Sequence, residues 1–414
     1  MINPSLVVQV GGKNLQRVQS FSLRLAVTEL ADQVSIEIAD TIELADLRIG
    51  DPIAVAIAGS IVLVGEVLNY RDHGDASSST LSITGFSAAQ RLTKSSIKIG
   101  DGESVTSRVL RNLSLRQIVE RVVRPFDLVV DVGETANTIA DLPIDKIKIK
   151  KNEAAWDFVL RVAKRQGCIL VSGAASITPD RKAKASIRIT RNAARSSKTT
   201  ITRPHPRVIA WDYELDGRAI QSEIIVSRKS KKRGNQGGLT QLGAPAYDSS
   251  AKYSPLIIDA EAGANTEGEL LRQAEFEVRK RRAEAIRVSV EIDGWSPDNS
   301  QEIWWPNTLY QLEDRVRGFA DTMLLTSVTL SRELGGGDKA MLEFVPPDAY
   351  AVLEDFTLDG SGIGGVGGGR GQYRANPEWL RQHSAVVTQI ADASDVVDFD
   401  QAKLELLFKP PEGT

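Results

Sequence analysis

The chain has 414 residues, with 42% hydrophobic and 25% charged side chains and a formal net charge of −3. That is enough apolar material for several cores, and too little charge imbalance to make the whole chain a polyanion binder. A single cysteine, Cys168, excludes a disulfide framework, and three scattered histidines exclude a zinc site of usual composition.

The N-terminus carries no basic-then-apolar leader pattern. Short strands follow, at Leu6–Val10, Ser20–Val27, Val34–Ile38, Ile53–Ala58, Ile61–Val67 and Thr80–Phe86. Turn signals separate them at Gly11-Gly12, Gly50-Asp51-Pro52 and His73-Gly74-Asp75. Gly59-Ser60 reads as a type II′ hairpin turn, with glycine at the first central position. The longest uncharged apolar run, Ile53 to Gly65, is too short to cross a bilayer as a helix. Residues 1–94 therefore read as a β-barrel or sandwich.

The period changes from 2 to 3.6 between residues 95 and 200. Ser114 caps a helix with the stripe Leu115, Ile118, Val119, Val122, ended by Pro125. A second helix starts near Asn152, carries Trp156, Val159, Leu160 and Ala163 on one face, and stops at Gly167. Strands follow at Cys168–Ser172 and Ala185–Thr190, giving a small α+β domain. Cys168 reads as a small buried hydrophobe.

Strands return over 201–350, at Ile209–Tyr213, Gln221–Ser227, Ile286–Ile292, Leu309–Glu313, Thr322–Ser331 and Ala340–Phe344. One helix lies among them, Thr266 to Ala285, with Glu267 and Glu269 early and Arg279 to Arg282 late, as the helix dipole favours. The run Arg228, Lys229, Ser230, Lys231, Lys232, Arg233 reads as an exposed charged loop. It is also a possible contact for an acidic partner or for nucleic acid, although no aromatic interleaves the bases.

Residues 360–371 are glycine-rich and read as a linker. Beyond them Asn376-Pro377 starts a helix with Trp379, Leu380, His383 and Val387 on one face. The stretch 351–414 has an acidic excess and reads as a tethered docking tail.

Chemistry-bearing motifs are weak throughout. Gly362, Gly364 and Gly367 match a phosphate-binding glycine pattern, but between no strand and helix. Ser95 and Lys98 match S-x-x-K in a stretch that reads as strand and turn. No Walker A or nucleophile elbow occurs. The residues assign no catalytic, cofactor-binding or metal-ligating role; the candidate contacts are Arg228, Lys229, Lys231, Lys232, Arg233, Trp379 and Leu380.

Two stretches carry a resemblance. Gly294-Trp295, Ile303-Trp304-Trp305-Pro306-Asn307, Leu309–Asp314, Met323–Val328 and Leu342–Tyr350 resemble the later barrel of baseplate hub proteins from Mu-like and P2-like contractile phage tails. Leu81–Leu92 sits where that family ends its first barrel, with Phe86 and Ser87 in place of its usual Arg and Asp. Ala154–Arg165 followed by Gly167–Leu170 is similar to the middle domain of these hubs and of type VI secretion spikes. The resemblance implies an α+β, β-rich fold: two tube-like β-barrel domains (1–94 and 201–350), an α+β domain between them (95–200), and the extension 351–414.

The implied function is structural, with no enzyme activity and no cofactor. Three chains would form a pseudo-sixfold ring adapting the sixfold tail tube to the threefold central spike, in the virion baseplate, assembled in the host cytoplasm. Implied partners are further copies of the chain, the tail tube, central spike, tape measure and baseplate wedge proteins. DNA would pass through in transit, with no membrane insertion by the chain itself. Three alternatives stand beside it: a tail-associated peptidoglycan hydrolase, a tailocin or type VI spike component, and a nucleic-acid module using Arg228–Arg233. Trp295, Trp304 and Trp305 read as core or subunit-contact residues.

Overall fold

The computed structural model describes residues 5–351, apart from 28–31, 40–43, 45, 75–78, 100–104, 106, 178–182, 231–239, 261–266 and 298–301. The first block holds β1 (Leu6–Val10), β2 (Lys13–Asn14), β3 (Val18–Ala26), β4 (Gln33–Ile38), β5 (Pro52–Ile57), β6 (Ser60–Gly74), β7 (Ser79–Ser87) and α1 (Arg91–Lys94). Side chains alternate in and out as the strand period requires. Phe21, Leu23 and Leu25 of β3, Val34, Ile36 and Ile38 of β4, and Ile53, Val55 and Ile57 of β5 all face one core.

The β5–β6 turn falls one residue earlier than the sequence suggests. Ile57 pairs with Ser60, and Ala58 and Gly59 both have positive φ, 52° and 80°. Two positive φ values make a type I′ turn, whose twist matches the flanking strands; the glycine takes its second position rather than the first of a II′ turn.

The middle of the chain forms β8 (Val109–Ser114), α2 (Leu115–Val123), β9 (Val129–Val132), α3 (Asn137–Ala140), β10 (Pro143–Lys148), α4 (Ala155–Arg165), β11 (Ile169–Ile177) and β12 (Ala183–Thr190). Helix α2 opens on a capping box: the Gln117 amide donates to the Ser114 hydroxyl, and the Ser114 amide donates to the Gln117 side chain. Helix α4 begins at Ala155 and turns off at Gly167, φ 67°. These helices and sheets enclose a separate core around Ile118, Val119, Phe158, Val159 and Cys168.

The last block holds β13 (Arg195–Arg203), β14 (Val208–Leu215), β15 (Glu223–Ser230), β16 (Thr240–Tyr247), β17 (Pro255–Asp259), α5 (Glu267–Glu284), β18 (Ile286–Asp293), β19 (Thr308–Asp314), β20 (Phe319–Glu333) and β21 (Gly337–Val345). Strand β14 pairs directly with β18, so residues 217–285 are an insertion between two neighbouring strands. The insertion has its own three-stranded sheet, ordered β16-β15-β17, and α5 packs on it through Leu270 and Ala274.

The fold is β-rich with few helices, as the sequence implies, but two closed barrels are not formed. One sheet of thirteen strands runs through both β-blocks in the order β14-β18-β21-β20-β3-β4-β7-β6-β5-β1-β2, with β13 and β19 branching from β20. The cause is the length of β20. Its first half pairs with β19 and its second half, Ser327–Glu333, pairs with Ala26–Ser20 of β3 on the same side. The later block passes its hydrogen bonds to the first instead of closing on itself, and the two share one core.

Candidate assembly surfaces

An open sheet has edges. Strand β14 hydrogen-bonds only to β18, and at the other end β1 bonds to β5 along its length but to the two-residue β2 only at Gln9 and Val10. Each edge shows apolar side chains: Ile209 (50% exposed) and Leu215 (61%) on β14, Val7 (46%) on β1. Exposed strand edges template pairing with another chain unless something covers them. Nothing among the described residues covers β14 or the Leu6–Val8 part of β1.

Where the blocks meet, the chain crossing from β12 to β13 is pinned by two asparagines. Asn307, at φ 62°, donates from Nδ2 to Arg191 O (2.8 Å) and accepts from Ala193 N at Oδ1 (2.7 Å). Asn192 Nδ2 donates to Pro347 O (2.8 Å), tying the same crossing to the chain after β21. Sequence reading singled out Asn307 only as part of a motif and missed Asn192. The buried Trp295 donates from Nε1 to Ser331 O (2.9 Å), between the Phe21 ring (5.6 Å) and the Arg332 guanidinium (4.4 Å). Trp304 stacks near Tyr310, and Trp305 lies under Arg195. Trp295 and Trp304 are core residues; Trp305 lies partly buried at its margin.

A cavity of about 340 Å³ opens at this junction, between Val27, Val62, Ser172, Arg188, Ile303 and Trp305 among others. Its lining contains serines but neither histidine nor cysteine, so no nucleophile is paired with an imidazole or thiolate base there. Ser172 hydrogen-bonds to the Ser87 hydroxyl (2.9 Å), and Arg188 is held by Asp131 (2.6 Å). The Ser95–Lys98 stretch is extended rather than helical: Ser96 bridges to Ala154, and Ser95 O accepts from Ala155 N.

The insertion is closed at its base. Asp216 N donates to Ala285 O, and the Asp216 carboxylate accepts from Arg218 Nη2 (2.6 Å) and Arg218 N (3.0 Å). The Arg218 hydrogen bonds hold that carboxyl at about 2, well below its ordinary value. In the middle domain burial tends to raise the Glu153 pKa, but the Arg161 guanidinium (2.8 Å) and the Lys150 amide outweigh it and lower the value.

The candidate contact residues from the sequence are not gathered into one site. Arg228 and Lys229 lie at the end of β15, opposite Leu242 and Gln241 of β16. Lys231, Lys232, Arg233, Trp379 and Leu380 lie outside the described residues, as do the glycine pattern Gly362–Gly367 and His383. Among the described residues, no group of three metal-ligating side chains is assembled, and no helix is long and apolar enough to cross a membrane.

Known proteins share this arrangement. Residues 97–175 match the family model "Baseplate hub protein gp44-like, second domain". The baseplate hub protein gp44 of Escherichia phage Mu is 22% identical over 359 residues, covering 84% of this chain and 89% of the phage Mu protein. The 43 kDa tail protein of prophage MuSo2 from Shewanella oneidensis has a similar structure, with a TM-score of 0.67 at 22% identity, over 84% of this chain and 99% of that one. A tail protein from Neisseria meningitidis MC58 gives 0.64 at 18%, over 84% and 99%.

Proposed function

We propose that this chain, a baseplate hub protein of a Mu-like phage tail, works as a homotrimer whose copies join sheet edge to sheet edge in a closed ring. Its place is the tail baseplate of the virion, and the hub family is structural rather than enzymatic.

The observation that carries the ring is the pair of open edges at opposite ends of one continuous sheet. Pairing β14 of one copy with β1 of the next is a heterologous contact, which closes into a ring or grows into a filament. Closure leaves no edge exposed and keeps the particle finite. Each copy brings two β-rich blocks, residues 1–94 and 201–350, so three copies present six tube-like units around a channel. That count suits an adaptor between a sixfold tail tube and a threefold spike. Tape measure and wedge proteins are the remaining partners of such a ring, and the genome crosses it during ejection.

Two edge variants test this. Val7→Glu and Ile209→Glu place a charge on opposite edges at exposed positions, so each chain still folds. Each alone should remain a monomer. Mixed in equal amounts they should form a discrete dimer, because one intact edge of each kind remains. Full-sized rings from either single variant would overturn the edge-to-edge reading.

A further inference from the structure

The insertion between β14 and β18 carries a groove that the ring does not use. It runs between the outer edge of β16 and α5, lined by Pro245, Tyr247, Leu271, Glu275, Val278 and Arg279. Leu271, Glu275, Val278 and Arg279 fall on one face of the helix, at i, i+4, i+7 and i+8. Tyr247 is 68% exposed and Leu271 39%, so the floor is apolar and open. Beside it lie two exposed bases of α5, Arg272 and Arg279, neither in an ion pair among the described residues. Glu275 is the one acid in the lining.

Strand β16 is an edge strand, but Pro245 sits in it and removes an amide. A partner adding a further strand would meet that gap. A helix laid along the groove, inserting apolar side chains between Tyr247 and Leu271, would not.

The chain itself holds a segment of that chemistry, and it leaves from the right place. Ala349 and Tyr350, the last described residues but one, pack with Ala283 at the C-terminal end of α5. From Ala283 back to Leu271 is about 18 Å at 1.5 Å per residue. From Ala351 to Trp379 is a glycine-rich stretch of 28 residues. As a coil such a stretch spans on average about 30 Å, enough to return to the groove and give a high effective concentration there. Residues 352–414 carry ten acids against five bases, opposite in sign to Arg272 and Arg279. The sequence stripe Trp379, Leu380, His383 and Val387 supplies the apolar face.

We propose that the acidic C-terminal segment of this chain docks in cis, through Trp379 and Leu380, into the groove between β16 and α5. The groove is thereby filled by the chain's own tail, and displacement of the tail would open it to another tail component. This inference does not depend on ring closure.

The test uses the full chain carrying Leu271→Cys and Leu380→Cys; the native Cys168 is fully buried and stays out of the chemistry. Mild oxidation should give an intrachain disulfide in most molecules. No disulfide, or one joining two copies, would overturn the proposal. In a second measurement, Trp379→Asp with Leu380→Asp in the full chain should speed amide hydrogen exchange over 271–279 severalfold. Neither residue belongs to a core described above, so folding is not at stake. Exchange unchanged from the parent chain would also overturn it.

Discussion

Asn307 holds a left-handed backbone conformation and spends both ends of its amide on the chain that crosses from the middle domain to the last block. Asparagine suits the place because its short polar side chain tolerates positive φ and carries a donor and an acceptor together. Asn307→Ala should therefore cost about 2–4 kcal/mol: two hydrogen bonds lost at a buried site, plus the strain of alanine in that conformation. Asn307→Gly, which keeps the bond loss and relieves the strain, should cost less, about 1–3 kcal/mol. Urea unfolding of the two variants side by side checks this; equal losses would mean that backbone strain plays no part. The sequence marked Asn307 as a motif residue but not its job, because the partners at Arg191 and Ala193 are more than a hundred positions away. Burial of Trp295 was legible from residue type alone, whereas its seat between Phe21 and Arg332 required the fold.

At the scale of elements, periodicity did most of the work. Strand β1 and helices α2 and α4 stand where alternation, capping and glycine stops put them. The strands missed share a cause. β13 reads Arg-Ser-Ser-Lys-Thr-Thr-Ile-Thr-Arg, with little apolar alternation, because it lies at the margin of its sheet. β16 contains glycine and proline, which signal turns in sequence but are tolerated on an edge. The insertion 217–285 was invisible as a unit because its two ends pair only in three dimensions. Its core is small, built around Val226, Ala244, Ala246, Leu270 and Ala274. Leu270→Ala removes the one large aliphatic that α5 buries there and should cost about 2–5 kcal/mol locally. Hydrogen exchange should then accelerate through β15, β16, β17 and α5, while β3, β4 and β20 keep their protection. Acceleration spread evenly over the thirteen-stranded sheet would show that the insertion does not unfold as a separate unit.

For the molecule as a whole, the resemblance to contractile-tail hubs led to the right family of folds, and it implied two barrels where there is one open sheet. The difference lies in β20. A strand of fifteen residues is long enough to hold β19 and β3 end to end along one side, so the blocks fuse rather than close. No local pattern encodes that sharing, since each half of β20 alternates as an ordinary strand would. The fusion also changes the physical argument for assembly. Two closed barrels would need no neighbour, whereas an open sheet ending in β14 and β1 has hydrogen-bonding groups and apolar side chains that a second and third copy would satisfy.

The native mass of the purified full chain, by light scattering or native mass spectrometry, tests that argument most directly. Three copies of the 45.0 kDa chain give a particle of about 135 kDa, and this is the mass the account predicts. A chain that stays at 45.0 kDa at every concentration, and still does so when mixed with tail tube and spike proteins, would contradict it.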